Sequence, residues 1–121
     1  MKRTIIGFCV VLLVWYLLVT LVNLSNRADL SEMDLTGEDL RYAKLIGADM
    51  HGVNLAGANL TRADLREANL EDADLTGANL HGANLAGANL TRAKLTGIDL
   101  SGTDLTGTDL SGANLTGIDL S

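Results

Sequence analysis

Proline is absent from the 121 residues, and cysteine occurs once, at Cys9. A single cysteine excludes an intramolecular disulfide, and its place inside an apolar stretch argues against a reactive thiol. Aromatic residues are one Phe, one Trp and two Tyr, and Phe8, Trp15 and Tyr16 all precede residue 28. Tyr42 is alone after that point, so the stacking platforms that hold single-stranded nucleic acid are missing. Positive charge also runs out. No Lys or Arg follows Lys94, whereas Asp99, Asp104, Asp109 and Asp119 do. Residues 28–121 carry 15 acidic and 6 basic side chains, a net charge of −9. Nucleic-acid binding rests on neutralising phosphate with Lys and Arg, so nucleic acid is not an expected partner. The four late aspartates mark an acidic surface instead.

What is present is a five-residue unit, unbroken from Ala28 to Leu120. Between Val53 and Leu90 it reads VNLAG ANLTR ADLRE ANLED ADLTG ANLHG ANLAG ANL. Nineteen consecutive units place Leu, or Met50 once, at every fifth position from Leu30. Two residues earlier sits a small residue, usually Ala; between them lies Asp or Asn, with Lys at Lys44 and Lys94. The Ala–Asp–Leu triplet alternates apolar, polar, apolar, which is strand periodicity. A helix fails, because a period of five rotates each Leu by roughly 140° from the last. One continuous strand fails too, since an odd period sends alternate leucines to opposite faces. A three-residue strand followed by a corner satisfies the pattern, with Gly suiting a corner that needs φ > 0. Ala and Leu then point in, Asp and Asn out. The expected core includes Leu55, Leu60, Leu65, Leu70, Leu75, Leu80, Leu85 and Leu90.

This unit resembles that of the pentapeptide-repeat proteins, whose motif is A-(D/N)-L-x-x, and the resemblance covers Ala28 to Leu120. It implies an all-β solenoid, a right-handed quadrilateral β-helix with four units per coil and about 4.75 coils. Two groupings agree with a 20-residue coil. Gly37, Gly57, Gly77, Gly97 and Gly117 fall in one column, and Ile98 stacks on Ile118. At about 4.8 Å per coil the stack is roughly 20–25 Å tall.

The N-terminus differs. Residues 1–4 form a short basic cap, 5–22 an apolar run, and 23–27 a linker. At about 1.5 Å per residue the run spans roughly 27 Å as a helix, close to a hydrocarbon core. It is long for a signal peptide, and no small-x-small cleavage site follows it. One transmembrane α-helix is therefore expected to precede the solenoid, with Ile5, Phe8, Leu12, Trp15, Leu18 and Val22 in the lipid bilayer. Lys2 and Arg3 outweigh Arg27, which acidic neighbours dilute. The positive-inside bias then places the N-terminus in the cytoplasm and the repeats on the trans side, periplasmic, extracellular or lumenal.

Departures from the unit cluster at its ends. Met33, Glu38, Tyr42, Lys44 and Ile46 make the first coil irregular. Glu38 falls at an inward position, where an unpaired carboxylate is costly, so this coil is expected to open to water or to offer Arg41 or Lys44 as a partner. Docking of this coil on lipid headgroups or on a membrane partner is the functional reading. Lys44 lies one coil from Asp64, and Lys94 one coil from Asp74, as expected surface pairs. Thr103 and Thr108 replace Ala near the other end, where no capping helix follows. Stacked repeats need caps, so end-to-end self-association of two copies is expected there.

No catalytic or metal centre is expected, and no cofactor. HGVNLAGANLTRADL at 51–65 recurs as HGANLAGANLTRAKL at 81–95, a shift of one and a half coils. His51 and His81 therefore land on opposite faces, as do Arg62 and Arg92. The carboxylates occupy positions where the unit demands an outward polar residue. Two functions remain. The first is a membrane-anchored structural or interaction module with a protein or envelope partner. The second follows from the resemblance: some pentapeptide-repeat proteins mimic DNA and protect a type II topoisomerase from quinolones. The charge of −9 fits it; the short stack, the missing C-terminal dimerisation helix and the anchor do not.

Overall fold

The computed structural model describes residues 3–4 and 27–118. Within the second span the chain winds as a four-sided coil in which every residue lies beside the residue 20 positions later. Fourteen parallel bridges record this, from Asp29 with Asp49 to Lys94 with Asn114, and they step by five residues around the four sides. Each side is held by a repeating pair of bonds. The Leu30 N–H donates to the Asp49 carbonyl at 2.7 Å, and the Asp49 N–H to the Ala28 carbonyl at 2.8 Å.

The corners follow from the last two residues of each unit. The N–H of the next inward residue donates back to the Leu carbonyl, as from Ala58 to Leu55 at 2.9 Å. The second corner residue has positive φ in every described unit: twelve are Gly, and Glu32, Tyr42, Arg62, Glu67, Asp72 and Arg92 adopt 57–60°. A left-handed conformation costs an L-residue on the order of 1–2 kcal/mol, so six corners carry strain that the stacked bonds hold in place. The Asp or Asn has a second role beyond facing water. Its carboxyl or amide oxygen accepts the N–H two residues on, as Asn59 Oδ1 does from Thr61 at 3.1 Å. This Asx bond presets the turn into each corner.

The core is a column of identical side chains. Leu55, Leu60, Leu65, Leu70, Leu75, Leu80, Leu85 and Leu90 are 0–1% exposed, with Met50 taking one Leu place and Ala and Val53 filling between. No polar or charged residue is fully buried among the described residues. Glu38 is half-buried at the open first coil, as its position required. Thr103 and Thr108 resolve differently from Ala. Their hydroxyls donate 2.8 Å bonds to the carbonyls of Leu80 and Leu85, one coil back, so an inward polar group is satisfied by the wall.

One pairing bears on the N-terminus. Strand β1 (Arg3–Thr4) lies parallel to β2 (Met33–Asp34), with Arg3 beside Met33 and Thr4 beside Asp34. The sequence alone puts residues 1–4 across a membrane from this coil. Residues joined as a strand pair about 4.8 Å apart cannot also lie on two sides of a hydrocarbon core of about 30 Å. Among the described residues no helix is long and apolar enough to cross a membrane. The run 5–22, with Ile5, Phe8, Leu12, Trp15, Leu18 and Val22, lies outside them.

Candidate interaction surfaces

The unit places its variable residues on four outer sides and four corners, and each stacks on the residue 20 positions away. On one side Asp49, Asn69 and Asn89 form a ladder in which each amide donates to the oxygen in the coil before, at 3.2 Å in both steps. Unlike side chains stack elsewhere. Lys94 Nζ reaches Asp74 at 3.2 Å, as the sequence suggests. The expected Lys44–Asp64 pair does not close: Arg66, at the corner two residues on, takes Asp64 at 2.7 Å. Glu38 is likewise bypassed, because Arg41 pairs with Asp39 at 2.7 Å.

The duplicated segments diverge in their surroundings. His51 lies 3.8 Å from Glu32, whereas His81 Nδ1 hydrogen-bonds the Ser101 hydroxyl at 2.8 Å on the opposite side. Arg92 binds Asp72 at 2.8 Å and also Glu71, which makes the densest ionic cluster. Its counterpart Arg62 instead lays its stem on the corner at Gly82, where an added Cβ would come within 3.3 Å of it. No described group of His, Cys, Asp and Glu could hold a metal ion.

Seven of the outward aspartates are stabilised as anions. Asp39, Asp64 and Asp72 sit below the usual carboxylate range because Arg41, Arg66 and Arg92 bind them. Burial alone would raise Asp74, but bonds from Thr76 and Lys94 bring it below its ordinary value. Asp99, Asp104 and Asp109 are lowered by the hydroxyl and N–H of Ser101, Thr106 and Ser111. All three are exposed, on successive sides of the last coils; Asp119 lies outside the described residues. What these surfaces offer is a rigid display of anions, amides and hydroxyls, with a solid leucine interior behind them.

A four-sided parallel coil of five-residue units defines a class of repeat proteins. The chain matches the pentapeptide repeats family in eight copies, over residues 23–62, 43–82, 54–92 and 83–121. It belongs to the pentapeptide-repeat family, and its fold is the family's right-handed quadrilateral β-helix. Among solved structures it is similar to the pentapeptide repeat protein Rfr23 from the cyanobacterium Cyanothece 51142, at 42% identity and a TM-score of 0.71, covering 73% of this chain and 60% of that one. The pentapeptide repeat protein alr5209 from Nostoc is 28% identical with a TM-score of 0.55, over 79% of this chain and 93% of that one. QnrB1, a plasmid-mediated fluoroquinolone resistance protein, is 24% identical with a TM-score of 0.55, over 72% and 45%. That likeness is one of fold. The chain thus spans 60% of the length of Rfr23. No curated protein matches it.

Proposed function

We propose that this protein is a membrane-anchored, non-catalytic interaction module, in which the β-helix displays polar faces to a protein or envelope partner. The observation that carries this is the solid core. Leu35 to Leu95 are at most 3% exposed, so the described repeats offer outer faces rather than a cleft in which chemistry is sheltered from water. The apolar run 5–22 supports the anchor, as one transmembrane α-helix with the N-terminus cytoplasmic and the repeats on the trans side. In that arrangement β1 leaves β2, and the first coil's edge is uncovered. The test is extraction of the full chain from membranes with alkaline carbonate. The native chain stays with the membrane. Leu13→Lys with Leu17→Lys, each adding about 2.5–3.5 kcal/mol to insertion, releases it. Release of the native chain contradicts the anchor.

Self-association through the last coil belongs to the same reading. Leu115 is 42% exposed, and Leu100, Leu105 and Leu110 are only partly buried. A second copy stacked there would extend the leucine column. Sedimentation of the full chain in detergent as a monomer at every concentration counts against it.

A second reading is an acidic mimic of DNA acting on a DNA-binding enzyme such as a type II topoisomerase. The net charge of −9 on residues 28–121 favours it, together with the absence of Lys and Arg after Lys94. The trans-side location weighs against it. Full-length protein is expected to leave DNA gyrase supercoiling unchanged; dose-dependent inhibition or protection from a quinolone moves this reading to the front.

A further inference from the structure

Tyr42 and Ile46 are 63% and 43% exposed, and Leu115 is the other large hydrophobic residue this open to water among those described. They occupy the two corners that bound one side of the first coil. Four residue steps of about 3.3 Å separate them, roughly 13 Å at full extension. Lys44 projects outward at the middle of that side. One coil further, about 4.8 Å along the axis, the same two corners carry Arg62 and Arg66. Lys44 and Arg62 close no ion pair among the described residues, whereas Arg41 and Arg66 pair with Asp39 and Asp64. Tyr42, Lys44 and Ile46 thus share the open edge, with Lys44 acting on Asp64 only at longer range behind Arg66, and Arg62 lies one coil further in. Apolar and aromatic groups settle at the acyl boundary, and Lys and Arg reach phosphate beside them.

A second observation places the apolar run at this end. Arg27 opens the described repeats at the first coil. An anchor in 5–22 therefore joins the solenoid, through the short stretch 23–27, at the end that carries Tyr42 and Ile46. We propose that the side of the first two coils bearing Tyr42, Lys44, Ile46 and Arg62 seats on a phospholipid bilayer, with the tips at the acyl boundary and the cations on headgroup phosphate. This rests on the membrane reading above. The solenoid then stands away from the surface with its last coils, which hold no Lys or Arg after Lys94, outermost.

The full chain, with Cys9→Ala, is reconstituted in phosphatidylcholine vesicles containing a lipid bearing a nitroxide on its acyl chain. A bimane label is placed in turn on Ile46→Cys, on Thr36→Cys across the first coil, and on Thr106→Cys three coils further along the same corner. Quenching at 46 at least twice that at 106, with 36 between them, is the expected result. Adding Lys44→Glu and Arg62→Glu should reduce quenching at 46 toward that at 106. Equal, weak quenching at all three positions while the protein floats with the vesicles overturns the docking and leaves the anchor standing. Protection of position 46 from both the nitroxide and aqueous iodide overturns it in favour of a protein cover, such as a second copy. Protein that does not float removes the anchor and the docking together.

Discussion

Leu75→Ala removes most of a side chain from the middle of the stack. Leu75 is 0% exposed and lies in a column with Leu35, Leu55 and Leu95, each at 0–1%. Transfer of a buried Leu contributes about 1.5–3 kcal/mol, and the cavity left behind adds to the loss. How much it adds depends on collapse. Here the Leu75 N–H is bound to Lys94 at 2.8 Å and its carbonyl to Ala78 at 2.9 Å, while Leu55 binds Asp74 in the coil before. Coils fixed by their own backbone ladder cannot move in to fill a gap. The expected cost is therefore in the upper part of the usual range for Leu→Ala, about 3–5 kcal/mol. Leu115→Ala is the comparison: a side chain 42% exposed in the last coil should lose under about 1.5 kcal/mol. Urea denaturation followed by far-ultraviolet circular dichroism reads both. A cost below about 1 kcal/mol for Leu75→Ala, or equal costs at the two positions, refutes a tightly packed column held open by its ladder.

Three further outcomes follow from the same geometry. Gly77→Ala meets nothing within 4 Å and has φ +67°, so its cost of about 1–2 kcal/mol is conformational alone; Gly52→Ala, whose Cβ would run into the Glu32 carboxylate, should cost more until Glu32 is shortened to Ala, and urea midpoints of the three variants check this. Thr103→Val keeps the shape but loses the bond to the Leu80 carbonyl, for about 0.5–1.5 kcal/mol; no change in stability would show that the Ala83 N–H on that carbonyl suffices. Acid should destabilise the fold. The shifted aspartates, Asp39, Asp64, Asp72, Asp74, Asp99, Asp104 and Asp109, all have folded values below the ordinary one. The unfolded chain then takes up protons first, near pH 4, so their contribution is complete above about pH 5 and lost as pH falls through the folded values. A urea midpoint that rises between pH 5 and pH 3 contradicts this sign.

The period of five made the solenoid legible, because it excludes both a helix and a straight strand before any comparison is made. The inward Leu and Ala and the left-handed corner residue follow from the same step. The role of Asp and Asn was only half legible. Outward polarity accounts for a hydrophilic residue, but Ser or Lys would meet that need; the oxygen that accepts the N–H two residues on explains why Asp and Asn dominate. Pairing across coils was least legible. Lys44–Asp64 and Lys94–Asp74 have the same spacing, yet Arg66 captures Asp64 and nothing comparable captures Asp74. Column spacing ranks the residues 20 apart as neighbours but says nothing of a competitor two residues away. The pairing of Arg3–Thr4 with Met33–Asp34 carried no signal either, since four residues have no period. Family membership sets the fold and leaves the function to be argued from the faces that the repeats display.

The side of the membrane on which the repeats lie decides between the two arrangements of the N-terminus. Two reporters are fused in turn after Ser121 of the full chain, one active only in the cytoplasm and one only outside it. Activity of the external reporter alone is expected, with the N-terminus still attached. Cysteines placed at Thr4 and Asp34 are expected to form no disulfide in membranes, because a spanning run would put the bilayer between them. Activity of the cytoplasmic reporter alone, together with that disulfide, would contradict the anchor. The strand pair would then persist in the cell, the run 5–22 would not span, and the acidic solenoid would share a compartment with DNA enzymes.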